Sequence, residues 1–153
     1  YMGKDSVEPF LEYKNKHTIL LALTSNVGAF DFQTKNIVDN SNKLYEEVIK
    51  TSTSWENSNQ LMYVVGATKA SYLKEIRNIV PNNFLLIPGV GAQGGDLKEV
   101  CDNGLNNEVG LLINSSRSII YASNDTNFDI DAAKNAQEIQ SQMGDILSSR
   151  GLV

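Results

Sequence analysis

Short, continuous apolar runs alternate along the whole chain with longer stretches in which apolar residues recur every three or four positions. The runs at 18–23, 60–66, 84–88 and 109–114 have strand length, and the periodic stretches between them read as helices. Asp5 or Ser6 can cap a first helix with Pro9 in its opening turn, running to about Lys16. Leu44, Val48 and Ile49, with Trp55 further on, predict a helix over 42–57, after an irregular stretch at 30–42. Tyr72, Leu73, Ile76, Ile79 and Val80 form the stripe of a helix from about Ala70, which Pro81 ends. Asp96 caps a helix over 97–103 that ends near Gly104, and 119–122 reads as one helical turn. The terminal helix, 130–149, is expected to bury Ala133, Ala136, Ile139, Met143, Ile146 and Leu147.

Strict alternation of helices with parallel-type strands predicts an α/β fold, either doubly wound or a closed barrel. The loops after the strands favour the barrel. The run 84–88 stops at Pro88, and Gly89, Gly91, Gly94 and Gly95 follow before Asp96 opens a helix. Such a loop lets backbone N–H groups approach an anion, and phosphate is the first expectation. The next run empties into Ser115-Ser116-Arg117 before a short helix, and paired loops of this kind form the usual phosphate site of a (β/α)8 TIM barrel. A complete barrel takes roughly 250 residues, whereas 153 residues with four strands suffice for one half. Residues 1–153 are thus expected to form the C-terminal half of a single barrel domain, approximately strands 5–8 with their helices. An apolar run as short as 84–88 further suggests a strand buried on both faces. The strands at 18–23 and 109–114 would be open edges that invite pairing.

Charge and cysteine content narrow the function classes. A net charge of −5 with no compensating basic run argues against nucleic acid or an acidic membrane surface as partner. The single cysteine, Cys101, excludes an internal disulfide and fits a reducing compartment, so a cytoplasmic location is expected. Cys101 itself reads as a core residue. His17 precedes a strand at the end away from the loops and reads as structural or solvent-exposed. The apolar runs are far below membrane-spanning length. Gly89 to Gly94 also satisfies Gly-x-Gly-x-x-Gly, the dinucleotide-binding fingerprint, but that reading wants an acidic residue at the end of the next strand. Asn114 stands there instead, and Pro88 at the entry is unusual for such a turn.

Residues 84–96 and 113–122, with Leu23-Thr24-Ser25-Asn26, Val64-Val65-Gly66-Ala67-Thr68 and Tyr1-Met2-Gly3-Lys4-Asp5-Ser6, resemble segments of the orotidine 5′-phosphate decarboxylases, especially their longer bacterial branch. The resemblance covers the chain in order and is weakest at 30–55. It implies cofactor-free, metal-free loss of carbon dioxide from orotidine 5′-phosphate to give UMP in pyrimidine biosynthesis, by a cytoplasmic homodimer. It also implies site roles. Arg117 would fork onto phosphate oxygens, with Ser116 beside it and backbone N–H groups of Gly91, Gly94 and Gly95 in the phosphate loop. Gln93 would reach both phosphate and a pyrimidine carbonyl, and Ser25 would read the pyrimidine amide edge. The plainer alternatives are a surface salt bridge for Arg117, a solvent-facing Gln93 and a Ser25 hydroxyl bonded to its own backbone. Val27 stands where the family commonly has proline.

The family's catalytic lysine and aspartates lie in an Asp-x-Lys-x-x-Asp stretch that this sequence lacks. Asp96-Leu97-Lys98 comes nearest, but Cys101 occupies the second aspartate position, and Asp96 reads as a helix cap. No catalytic residue is therefore expected in this chain, and the partner implied is an N-terminal half carrying that array. A phosphate-binding half-barrel without chemistry is the alternative from a different class.

Overall fold

The computed structural model describes residues 2–38, 40–91 and 93–153. Tyr1 of the 1–6 motif and Ala92 of the glycine loop lie outside the described residues. Among those described, β1 (Thr18–Leu23), β2 (Leu61–Val65), β3 (Leu85–Pro88) and β4 (Leu111–Asn114) form one parallel sheet in the order β1-β2-β3-β4. Sequential order decides between the two architectures. A doubly wound sheet reverses its strand order at a switch point, whereas a barrel adds each strand beside its predecessor.

The register puts Leu20, Tyr63, Leu85 and Leu111 on one face, and Leu21, Val64, Leu86 and Leu112 on the other. The first face belongs to the core, together with Tyr45 and Ile49 of α3 (Leu44–Thr53), Leu73 and Ile76 of α4 (Ala70–Ile79), and Val100 and Cys101 of α5 (Leu97–Gly104). The second face is uncovered: Leu21 is 63%, Ile19 43% and Leu112 41% exposed. This corrects the expectation that the strand at 84–88 is buried on both faces. Leu85 and Ile87 are buried, but Leu86 and Pro88 are only half-buried, because the helices pack on one side. One-sided helices on a sequential parallel sheet are what half of a (β/α)8 barrel requires, with the open apolar face turned toward the barrel axis.

β1 carries an irregularity between Leu21 and Leu23, where one extra residue breaks the alternation and both Ala22 and Leu23 become buried. The edges fall where the sequence places them, on β1 and β4. Beside β1 lies a largely apolar cavity of about 530 Å³ that includes Val7, Leu20, Val48 and Trp55. Beside β4 another of about 520 Å³ includes Ile113, Ile119, Ile139 and Met143.

Several helix bounds differ from the sequence expectation. The first helix shrinks to a 3-10 turn at Lys4–Ser6 and α1 (Glu8–Leu11), since Asn15 adopts a left-handed φ of 64° that closes a turn before β1. Residues expected to be irregular contain α2 (Ala29–Phe32), one helical turn. α3 starts only at Leu44, where Lys43 N–H donates to Glu46 Oε2 at 2.8 Å, and it stops four residues short of Asn57, itself left-handed at 59°. The short turn after β4 is α6 (Arg117–Ile120), two residues earlier than expected. α7 (Phe128–Ser149) has Ala136, Ile139, Met143, Ile146 and Leu147 half-buried, but Ala133 is exposed and no α7 residue is fully buried. Its apolar stripe borders the open edge of β4, so part of the stripe has nothing to pack on among the described residues. No helix among them is long and apolar enough to cross a membrane.

Candidate phosphate and pyrimidine site

The C-terminal ends of parallel strands are the natural place for a site, since each strand there releases the chain into a loop. The loop after β3 turns through positive φ at Gly89 (97°), Gly91 (82°) and Gly94 (83°), conformations that a side chain would strain. It is closed by its own backbone: Gly91 N–H donates to Gly95 O at 3.1 Å, Gly94 N–H to Gly91 O at 2.8 Å and Gly95 N–H to Gly89 O at 3.2 Å. The three N–H groups assigned to phosphate by resemblance thus hold the loop itself in shape in this conformation. Asp96 Oδ1 accepts from Glu99 N–H at 2.7 Å, so the loop empties into a capped α5 as its sequence predicts.

The glycine loop and the loop after β4 enclose a polar cavity of about 130 Å³ lined by Pro88, Gly89, Val90, Gln93, Asn114, Ser116 and Arg117. Three of the four predicted side chains, Gln93, Ser116 and Arg117, meet there. Ser116 Oγ donates to Asn114 Oδ1 at 3.0 Å within its own segment, whereas Ser115 Oγ donates to Val90 O at 3.1 Å and ties the two loops together. Gly91, Gly94 and Gly95 do not line the cavity.

The arginines separate by what their guanidinium groups touch. Arg77 donates to the carbonyls of Gly104, Val80, Asn83 and Gly110, and Arg150 pairs with Asp102. Arg117, the first residue of α6, is exposed at the cavity and has no side-chain hydrogen bond or ion pair among the described residues. Among the described residues that placement leaves a cation with open donors beside a polar cavity.

Ser25, on the loop after β1, stands outside the cavity but reaches it through Gln93: Ser25 Oγ donates to Gln93 Oε1 across 3.4 Å, a long, weak bond. Gln93, exposed at the rim of the cavity, thus stands between the two loops. The loop carrying Ser25 is braced from behind, where Gln33 Oε1 accepts from Thr24 N–H and Gln33 Nε2 donates to Thr24 Oγ1, each at 2.8 Å. Gln33 lay in the stretch without periodicity, and only its paired use of both amide atoms reveals it.

Cys101 is fully buried, and burial pushes its thiol upward, as befits an inert core cysteine. Among the described residues no cluster of three or more His, Cys, Asp or Glu side chains is placed to hold a metal ion. Asn114, where a dinucleotide site would want an acid, lines the same small cavity.

A sequential parallel sheet with helices on one face and a small polar cavity at the C-terminal ends of its last two strands defines half of a (β/α)8 barrel, and comparison with known proteins makes the class specific. Residues 1–128 match the model of the orotidine 5′-phosphate decarboxylase / HUMPS family. A curated orotidine 5′-phosphate decarboxylase of Flavobacterium johnsoniae is 60% identical over 98% of this chain and 54% of its own length. That of Christiangramia forsetii is 67% identical over 94% of this chain and 52% of its own. Among solved structures, Leishmania donovani OMP decarboxylase matches with a TM-score of 0.74 and 34% identity, over 92% of this chain and 54% of that one. A putative orotidine-monophosphate-decarboxylase from Toxoplasma gondii matches with a TM-score of 0.78 and 30% identity, over 98% and 57%. The chain belongs to the orotidine 5′-phosphate decarboxylase / HUMPS family, and it spans about half the length of the curated relatives it matches.

Proposed function

We propose that this chain is the phosphate- and pyrimidine-binding half of an orotidine 5′-phosphate decarboxylase, supplying strands 5–8 of a single barrel domain. The observation that carries the reading is the convergence of Gln93, Ser116 and the open guanidinium of Arg117 on one polar cavity, with Ser25 bonded to Gln93. Arg117 grips the phosphate through charge-assisted bonds. Ser116 and the loop shaped by Gly91, Gly94 and Gly95 complete the phosphate side, and Ser25 reads the pyrimidine. Gln93, between them, reports the presence of one end of the substrate to the other.

The lysine and aspartates that would stabilise the carbanion and protonate it come from a complementary half-barrel bearing Asp-x-Lys-x-x-Asp. The open apolar face and the apolar cavities beside β1 and β4 suit that partner, because each edge offers an unpaired ladder with adjoining apolar surface. The complete barrel acts as a cytoplasmic homodimer, releasing UMP and carbon dioxide.

The test is complementation. The 153-residue chain alone is expected to leave orotidine 5′-phosphate absorbance unchanged, and addition of the N-terminal half of a close relative is expected to restore turnover. Turnover by the chain alone overturns the division of labour. A stable complex that binds UMP but never turns over favours the non-catalytic phosphate-binding reading.

A further inference from the structure

We propose that Thr68, on the turn between β2 and α4, is a positioning residue for the Ser25–Gln93 bridge; the inference rests on the site reading of Ser25 given above. Thr68 lines no part of the phosphate cavity. Its place just before a helix suggests a cap, yet α4 has no side-chain cap at its N-terminus, and Thr68 Oγ1 instead donates to Ser25 O at 3.0 Å. The hydroxyl holds the backbone of the residue whose side chain meets Gln93.

The neighbours of Thr68 show that the whole turn serves this purpose. A Cβ on Gly66 would lie 2.5 Å from Ser25 N, 2.6 Å from its Cβ and 2.7 Å from its Cα, so only glycine lets the Ser25 backbone sit this close. Gly66 N–H also donates to Leu23 O at 2.8 Å, continuing the sheet up to the loop. Ala67 presses in the other direction, because a Cβ on Gly95 would overlap the methyl of Ala67. Gly95 closes the loop that carries Gln93. Three consecutive residues therefore touch the loops at both ends of the bridge, and Thr68 supplies the polar link. Ser25 Oγ and Gln93 Oε1 stand 3.4 Å apart, at the limit of bonding, so a small shift of the Ser25 backbone breaks the contact.

The experiment uses the complete barrel, with orotidine 5′-phosphate as substrate. Thr68→Val keeps the shape and removes the donor, and is expected to lower kcat/KM about three- to tenfold. Thr68→Ser, which keeps the hydroxyl, is expected to stay within about twofold of the parent. In a Ser25→Ala background Thr68→Val is expected to cause no further loss, since the side chain it positions is gone. A Thr68→Val loss that multiplies undiminished with that of Ser25→Ala, no loss at all, or an equal loss in Thr68→Ser overturns the proposal. If Ser25→Ala alone leaves turnover unchanged, the site reading of Ser25 fails first and the role of Thr68 falls with it. Loss of turnover in Thr68→Val accompanied by a lowered unfolding midpoint marks a merely structural residue, and also overturns it.

Discussion

In the complete barrel, Arg117→Ala is expected to lower kcat/KM for orotidine 5′-phosphate by roughly ten- to a few-hundred-fold, the equivalent of losing charge-assisted hydrogen bonds worth about 1.5–3 kcal/mol each. The expectation follows from the guanidinium's position, exposed at the polar cavity and without a protein acceptor among the described residues. A group with no structural partner can be removed with little effect on folding, so the loss should appear in kinetics and leave the unfolding midpoint in place. Part of the loss should fall on kcat, because binding energy from a remote phosphate can hold the closed, water-excluding arrangement that the transition state needs. With the phosphate-free nucleoside as substrate the Arg117→Ala defect should nearly vanish, whereas Ser25→Ala should impair both substrates similarly. An equal Arg117→Ala loss on both substrates would make Arg117 structural.

The opposite profile is expected for Arg77, whose substitution by alanine should destabilise the fold by about 3–5 kcal/mol while leaving the site chemistry intact in whatever fraction stays folded. Arg77 Nε donates to Gly104 O at 2.6 Å, Nη1 to Asn83 O at 2.6 Å and to Val80 O at 3.2 Å, and Nη2 to Gly110 O at 2.7 Å. These carbonyls lie at the ends of α4 and α5 and at the approaches to β3 and β4, the end of the sheet opposite the glycine loop. Removing the fork leaves several part-buried acceptors unmet at once. Burial lowers the Arg77 pKa to about 10, so the group remains charged at neutral pH. Lysine should rescue little, since one ammonium cannot span carbonyls that a planar, five-donor fork reaches together. Urea unfolding of the three proteins measures this, and an Arg77→Ala midpoint within error of the parent would refute it.

The two arginines also show which parts of the structure were legible in the sequence. Arg117 follows a short apolar run within Ser115-Ser116-Arg117, so local pattern alone places it at a strand's C-terminal end. Strand order was legible only in part, since alternation left a doubly wound sheet open and it was the paired loops after the last two runs that favoured the sequential order of a barrel. Arg77 sits on an ordinary helical stripe, and its partners are 27 and 33 residues away at Gly104 and Gly110. No local periodicity encodes such a contact. Gly66 is hidden for a related reason, because what demands glycine there is the backbone of Ser25, which only the folded sheet brings alongside. The shortened first helix and the late start of α3 reflect left-handed residues and a backbone cap, which periodicity does not register. Ala133 was misplaced because a helical stripe shows which residues share a face, not how far the neighbouring surface extends beneath it.

The fully buried Cys101 lies under α7, with its Sγ 3.6 Å from Met143 Sδ. α7 has no fully buried side chain of its own, so it is the long helix with least to hold it down. The only thiol in the sequence is therefore a built-in reporter of helix undocking. A maleimide should label the native chain only as fast as α7 lifts away, and a complementary half-barrel seated along β4 should slow the labelling before any catalytic assay is run.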